Sequence, residues 1–151
     1  MREALAEARA AGEAGEMPCG AVVVLEGEIV GRGRARHKAR GTRLAHAEVE
    51  ALLDGGEAVL RRHSECVLVA TVEPCPLCLG AAVMADVPHI VFAAYDRQAG
   101  IPGTVEREPY VRGHIDTYRG GVLEAESLAL IAELDPGLLQ ALRPAAQKDS
   151  G

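Results

Sequence analysis

Two short segments hold the residues best suited to chemistry: AHAE at 45–48, with His46 and Glu48, and EPCPLCLGA at 73–81, with Cys75 and Cys78. One imidazole and two thiolates make a three-ligand set for a single Zn2+ per chain, leaving the fourth tetrahedral position for water. A zinc ion that only holds a fold has no use for a neighbouring carboxylate. A hydrolytic one needs a group to take a proton from its water and return it, and Glu48 stands two residues after His46. Two other readings of Cys-x-x-Cys stay open. A redox pair would leave His46 and Glu48 without a purpose. A closed structural zinc would need a fourth ligand from Cys19 or Cys66, and both read as small core residues beside strands. His37, His63, His89 and His114 have no ligand partner at a recognisable spacing and read as surface or loop histidines.

These residues must be positioned by alternating strands and helices. Residues 1–13 form a helix rich in alanine and glutamate, ending near Gly12 or Gly15. AVVVL at 21–25 and EIVGRG after it are strands joined by a two-residue hairpin at Glu26-Gly27. From Leu44, the spacing of Ala45, Val49, Leu52 and Leu53 predicts a helix that Gly55-Gly56 stops. CVLVATV at 66–72 is a buried strand, and Pro76 suits the first turn of a helix running to about Asp86. Both chemical segments thus fall at helix starts, where the dipole favours thiolates. IVFAAY at 90–95 is a strand, Gly100, Pro102 and Gly103 mark a loop, and a short strand is signalled near His114–Tyr118. A helix over 123–134 and a last short helix after Asp135-Pro136-Gly137 complete an α/β sandwich, read as having a mostly parallel sheet.

With 151 residues, 48% apolar, the chain suits one domain over 1–151 with an ordinary core. A net charge of −6 and a pI near 5.4 argue against a surface built wholly for nucleic acid or membrane. Locally, RGRARHKARGTR at 32–43 carries six Lys/Arg and no acid, either as a solvated loop or as an anion-facing rim beside the second helix. No apolar h-region opens the chain and no apolar run reaches membrane-span length, so a cytoplasmic protein with no membrane partner is expected. There four cysteines suit metal ligation or core packing better than disulfides.

His46, Glu48, Pro74, Cys75 and Cys78 reproduce the H-x-E…P-C-x-x-C pattern of zinc deaminases. Through these residues, together with the opening MREALAEARAAGEAGEMPCGAVVV, VFAAYDRQAG and GGVLEAES, the chain resembles the cytidine-deaminase-like superfamily. The branch it resembles contains tRNA adenosine, guanine and cytosine deaminases. The resemblance implies a three-layer α/β/α sandwich with a five-stranded mixed sheet, in a homo-oligomer with a dimer favoured. It implies zinc on His46, Cys75 and Cys78, proton transfer by Glu48, the backbone of Ala47 facing substrate, and Tyr95 lining the pocket. The chain departs from purine- and tRNA-directed members at Ala35, where they carry an asparagine. It also departs over residues 121–151, where two Lys/Arg face five acids and no aromatic appears. These departures and the acidic total favour a free nucleobase, nucleoside or related amino-heterocycle, guanine- or cytosine-like, as the small-molecule substrate. The alternatives are a wobble adenosine in tRNA, which they disfavour, and a catalytically silent zinc-binding protein of the same fold.

Overall fold

The computed structural model describes residues 1–100 and 102–142; the last nine residues of the expected domain lie outside the described part. The chain runs α1 (Arg2–Glu13), β1 (Gly20–Leu25), β2 (Glu28–Arg34), α2 (His37–Arg40), α3 (Ala47–Arg62), β3 (Val67–Val72) and α4 (Pro76–Met84). It continues through β4 (His89–Ala94), α5 (Pro102–Arg107), α6 (Pro109–Arg112), β5 (Thr117–Arg119), α7 (Glu124–Leu134) and α8 (Pro136–Leu142).

The five strands form one sheet in the order β2-β1-β3-β4-β5. β1 pairs antiparallel with both β2 and β3, whereas β3–β4 and β4–β5 are parallel, so the sheet is mixed. The expectation of a mostly parallel sheet needs correcting at the level of pairing, because the hairpin makes two of the four ladders antiparallel. It holds for direction: β2, β3, β4 and β5 all point the same way, and β1 alone opposes them.

Alternation along the strands sorts side chains to two faces. Ala21, Val23, Leu68, Ala70, Ile90 and Phe92 share one cluster with α3 and α4 residues such as Ala51, Leu79 and Val83. Val22 and Val69 point the other way, toward Ala4 of α1. Each large apolar side chain taken fully from water contributes about 1.5–3 kcal/mol, so the aliphatic core compensates for the scarcity of aromatics. α7 is tied to the second face by the Ser127 hydroxyl, which donates to the Thr71 carbonyl at 2.6 Å in a buried site. Helices on both faces give the three-layer α/β/α sandwich.

The hairpin turn forms at Glu26 and Gly27, both with positive φ (52° and 86°), as a two-residue turn between right-twisted strands requires. Gly55-Gly56 does not end α3. Gly56 takes φ 44°, ψ −118°, and the helix resumes beyond this kink to Arg62, because Val59 on its continuation is buried in the core. The short helices α2, α5 and α6 replace segments read as loop, and the last strand lies at Thr117–Arg119. Among the described residues no helix is long and apolar enough to cross a membrane.

Candidate metal centre and active site

His46 and Cys75 are the N-cap residues of α3 and α4, each in extended backbone just before its helix, and Cys78 lies in the first turn of α4. The arrangement converges three donors. His46 Nδ1 lies 3.6 Å from Cys75 Sγ and 3.4 Å from Cys78 Sγ, and the two sulfurs are 3.7 Å apart. Tetrahedral bonds of about 2.3 Å to sulfur and about 2.1 Å to nitrogen would set donors about 3.8 Å (S to S) and about 3.6 Å (S to N) apart. The observed separations fit zinc. Cys19 and Cys66 are not in this group, so among the described residues no fourth cysteine closes the set.

The electrostatics favour at least one thiolate without metal. Contacts from Cys78 and then His46 bring the Cys75 thiol down to about 4, while its sulfur and burial push the Cys78 thiol up. His46 is raised, chiefly by its contact with Cys75. Both sulfurs lie at α4's N-terminal end, whose unpaired N–H groups favour negative charge.

Glu48, in the first turn of α3, is buried and lines the cavity beside the donors, where desolvation raises its carboxyl above the ordinary range. Ala47, also buried, lines the same cavity of about 90 Å³. Cys19 and Gly20 where β1 begins, Thr71, Val72 and Glu73 where β3 ends, and Leu138 and Leu142 of α8 also line it. α8 therefore borders the site and does not only pack on the sheet. Glu73, 4% exposed, braces this end of the sheet: its carboxylate accepts from the Asp96 N–H at 3.0 Å and from the Tyr118 hydroxyl at 3.2 Å. Burial raises its pKa.

The segment 32–43 runs beside the cavity and places Ala35 and His37 in its lining. Its turn is pinned by Glu16, whose carboxylate accepts from the N–H groups of Lys38 (3.0 Å) and Ala39 (2.8 Å). Three of its arginines pair with acids: Arg32 with Glu3 at 2.9 Å, Arg34 with Glu7 at 3.6 Å, and Arg40 with Glu50 at 2.9 Å. His37 sets its ring edge-on to His46, with centroids 5.1 Å apart, and burial followed by the nearby His46 holds it below the ordinary imidazole value. Nothing in the spacing joins it to His46, which is why the sequence alone suggests a surface or loop histidine; the turn at 37–40 brings the two rings together.

The structure thus brings together His46, Ala47, Glu48, Cys75 and Cys78. Tyr95 lies apart from them. It is 40% exposed, packs edge-on against Phe92, and lines a neighbouring groove with Arg97, Glu124 and Leu128.

Residues 1–94 match the cytidine and deoxycytidylate deaminase zinc-binding region. The chain belongs to this family of zinc-binding deaminases. A tRNA-specific adenosine deaminase of Bacillus subtilis is 35% identical over 136 residues, which span 83% of this chain and 84% of that one. A tRNA(Ile)-lysidine synthase of Deinococcus radiodurans is 43% identical over 137 residues, 89% of this deaminase chain but only 24% of the synthase. Among solved structures, one from work on tRNA:A34 deaminases and A-to-I editing at the wobble position superposes with a TM-score of 0.73 at 33% identity, covering 86% of this chain and 96% of that one. The guanine deaminase of Nitrosomonas europaea follows at 0.68 and 27%, with 88% and 81% covered.

The preference for a small nucleobase or nucleoside over tRNA as partner is overturned by the relatives named for tRNA, whose similarity runs through most of the chain. Whole-chain charge was a poor guide because it averages over surfaces. Glu3, Glu7 and Glu50 all face arginines of 32–43, so the acidic total does not describe the charge beside the cavity.

Proposed function

We propose that this deaminase converts adenosine to inosine in a tRNA, at the wobble position. The observation carrying the proposal is that similarity to a tRNA-specific adenosine deaminase extends over most of both chains. The donor set and carboxylate supply the chemistry. Bound to His46, Cys75 and Cys78, zinc would act as a Lewis acid that brings the pKa of water near neutrality.

Glu48 moves the protons. It takes one from water as the water oxygen bonds to C6 of adenine and gives it to N1. The proton of the new C6 hydroxyl then passes through Glu48 to the exocyclic nitrogen, the C6–N bond breaks, ammonia leaves, and C6 becomes a carbonyl. Burial suits Glu48 to both halves of this cycle, since a carboxyl with a raised pKa can hold the proton between steps. The backbone of Ala47, between the metal ligand and the acid, faces the substrate.

The test is inosine formation in a tRNA transcript with adenosine at the first anticodon position, using zinc-loaded protein, beside free bases and nucleosides scored for ammonia. Inosine is expected only in the transcript. Glu48→Ala should abolish turnover with zinc still bound. Activity surviving that change would overturn the proton-transfer role, and ammonia from free bases with an unchanged transcript would overturn the substrate.

A further inference from the structure

We propose that His37 is a substrate-contact residue whose Nε2 hydrogen-bonds the polar edge of the target nucleotide, resting on the tRNA deaminase reading above. The cavity is mostly apolar, with Ala35 offering only a methyl group at the position facing His37's turn. A nucleotide base brings several hydrogen-bonding atoms into it, each costly to bury without a partner.

Most polar side chains around the cavity are committed elsewhere. Thr71 Oγ1 accepts from the Gly20 N–H at 3.0 Å. Both carboxylate oxygens of Glu73 are used, and Asp96 Oδ1 accepts from the N–H groups of Gln98 and Ala99 at 2.9 Å. Glu48 and the three donors belong to the reaction. His37 Nε2 remains: among the described residues it is the buried side-chain polar atom with no hydrogen-bond partner. Proteins rarely leave such an atom unpaired, so it calls for a partner.

Its placement is fixed independently of any ligand. Glu16 pins the backbone of the next two residues, and the His46 ring braces the imidazole edge-on. The imidazole is therefore held beside the cavity before substrate arrives. Neutral imidazole can donate from Nε2 to a ring nitrogen or accept from a ribose hydroxyl, according to its tautomer.

His37→Phe keeps the ring edge against His46 and deletes the nitrogen, and His37→Gln restores a nitrogen near the Nε2 position without the ring. On the tRNA transcript, His37→Phe should lower kcat/KM about 10-fold, mainly through KM, as the loss of one hydrogen bond in a buried site implies. Zinc content and thermal midpoint should stay at the wild-type level, and His37→Gln should recover most of the loss. Wild-type kinetics in His37→Phe would overturn the assignment, as would a Gln variant no better than Phe. A wild-type chain that leaves the transcript unchanged would instead overturn the tRNA reading, and this proposal with it.

Discussion

Gly33→Ala tests whether the closeness of β2 to α3 sets the catalytic geometry. Gly31 and Gly33 alternate along β2 toward α3, where a Cβ on Gly33 would stand 2.0 Å from the Ala47 carbonyl oxygen and 2.3 Å from the Ala51 nitrogen. Ordinary contact begins at 3.4 Å, so the nearer approach is 1.4 Å too short. The obstructing atoms are helix backbone and cannot swing aside, so strand or helix must move by about 1 Å, at a cost near the upper end of the ~1–3 kcal/mol typical of overpacking. For a chain of this size that lowers the thermal midpoint by roughly 2–4 °C per kcal/mol. Ala47 lies between His46 and Glu48, so the shift reaches the donor and acid directly, and a misplacement of about 1 Å can cost on the order of 100-fold in rate. The assay pairs thermal unfolding with inosine formation and zinc content. Gly80→Ala is the control: it lies exposed within α4, nothing stands within 4 Å of an added Cβ, and the change should be neutral or stabilising by up to ~1 kcal/mol. A Gly33→Ala protein that melts with the wild type and turns over normally would refute the reasoning.

The remaining expectations concern the supports of the site. Hydrogen bonds from Lys38 and Ala39 hold the Glu16 carboxyl below the ordinary carboxylate value, so its hold on the turn is present above that range and is lost as pH falls through the lowered value. NMR should give a Glu16 midpoint lower than that of an ordinary exposed glutamate and a matching step in the Lys38 and Ala39 amide shifts that Glu16→Gln abolishes. Glu73→Ala strands the Asp96 N–H and the Tyr118 hydroxyl and should cost ~2–3 kcal/mol in chemical unfolding, whereas Glu73→Gln keeps an acceptor and should cost ~1 kcal/mol or less. By metal analysis, Cys75→Ser should reduce bound zinc, while Cys19→Ala and Cys66→Ala should retain one ion per chain.

The elements that carry a strong local signal were legible in the sequence. The hairpin announces itself through Glu26-Gly27 between β-branched runs, and Pro76 after a buried strand marks the start of α4. The donor set was legible because His46, Cys75 and Cys78 are scarce residue types at the ends of such elements. What escaped depends on contacts between distant segments. Gly56 reads as a stop because the burial of Val59, which carries the helix onward, is a tertiary fact. His37 reads as a surface residue because the contacts that hold its turn beside the cavity, among them those to Glu16, twenty-one positions earlier, join distant segments. α8 could not be placed over the site from an apolar pattern that would equally suit packing on the sheet.

The topology explains why the metal ligands come in two distant segments. β2 and β3 point the same way, so the helices that follow them, α3 and α4, begin at the same end of the sheet. His46 and Cys75, as the N-cap residues, arrive there together. β1 lies between the two strands and runs in the opposite direction, so its first residue, Gly20, and the preceding Cys19 come to that end as well. The two βα junctions then divide the work. The β3–α4 junction is three residues long, Glu73 to Cys75, and is taken up by a sheet brace, a proline and a ligand. The β2–α3 junction spans Ala35 to His46 and has room for α2, the basic rim and His37. The metal ligands are consequently tied to the tight junction and its partner cap, while the longer junction and α8 supply further parts of the cavity lining.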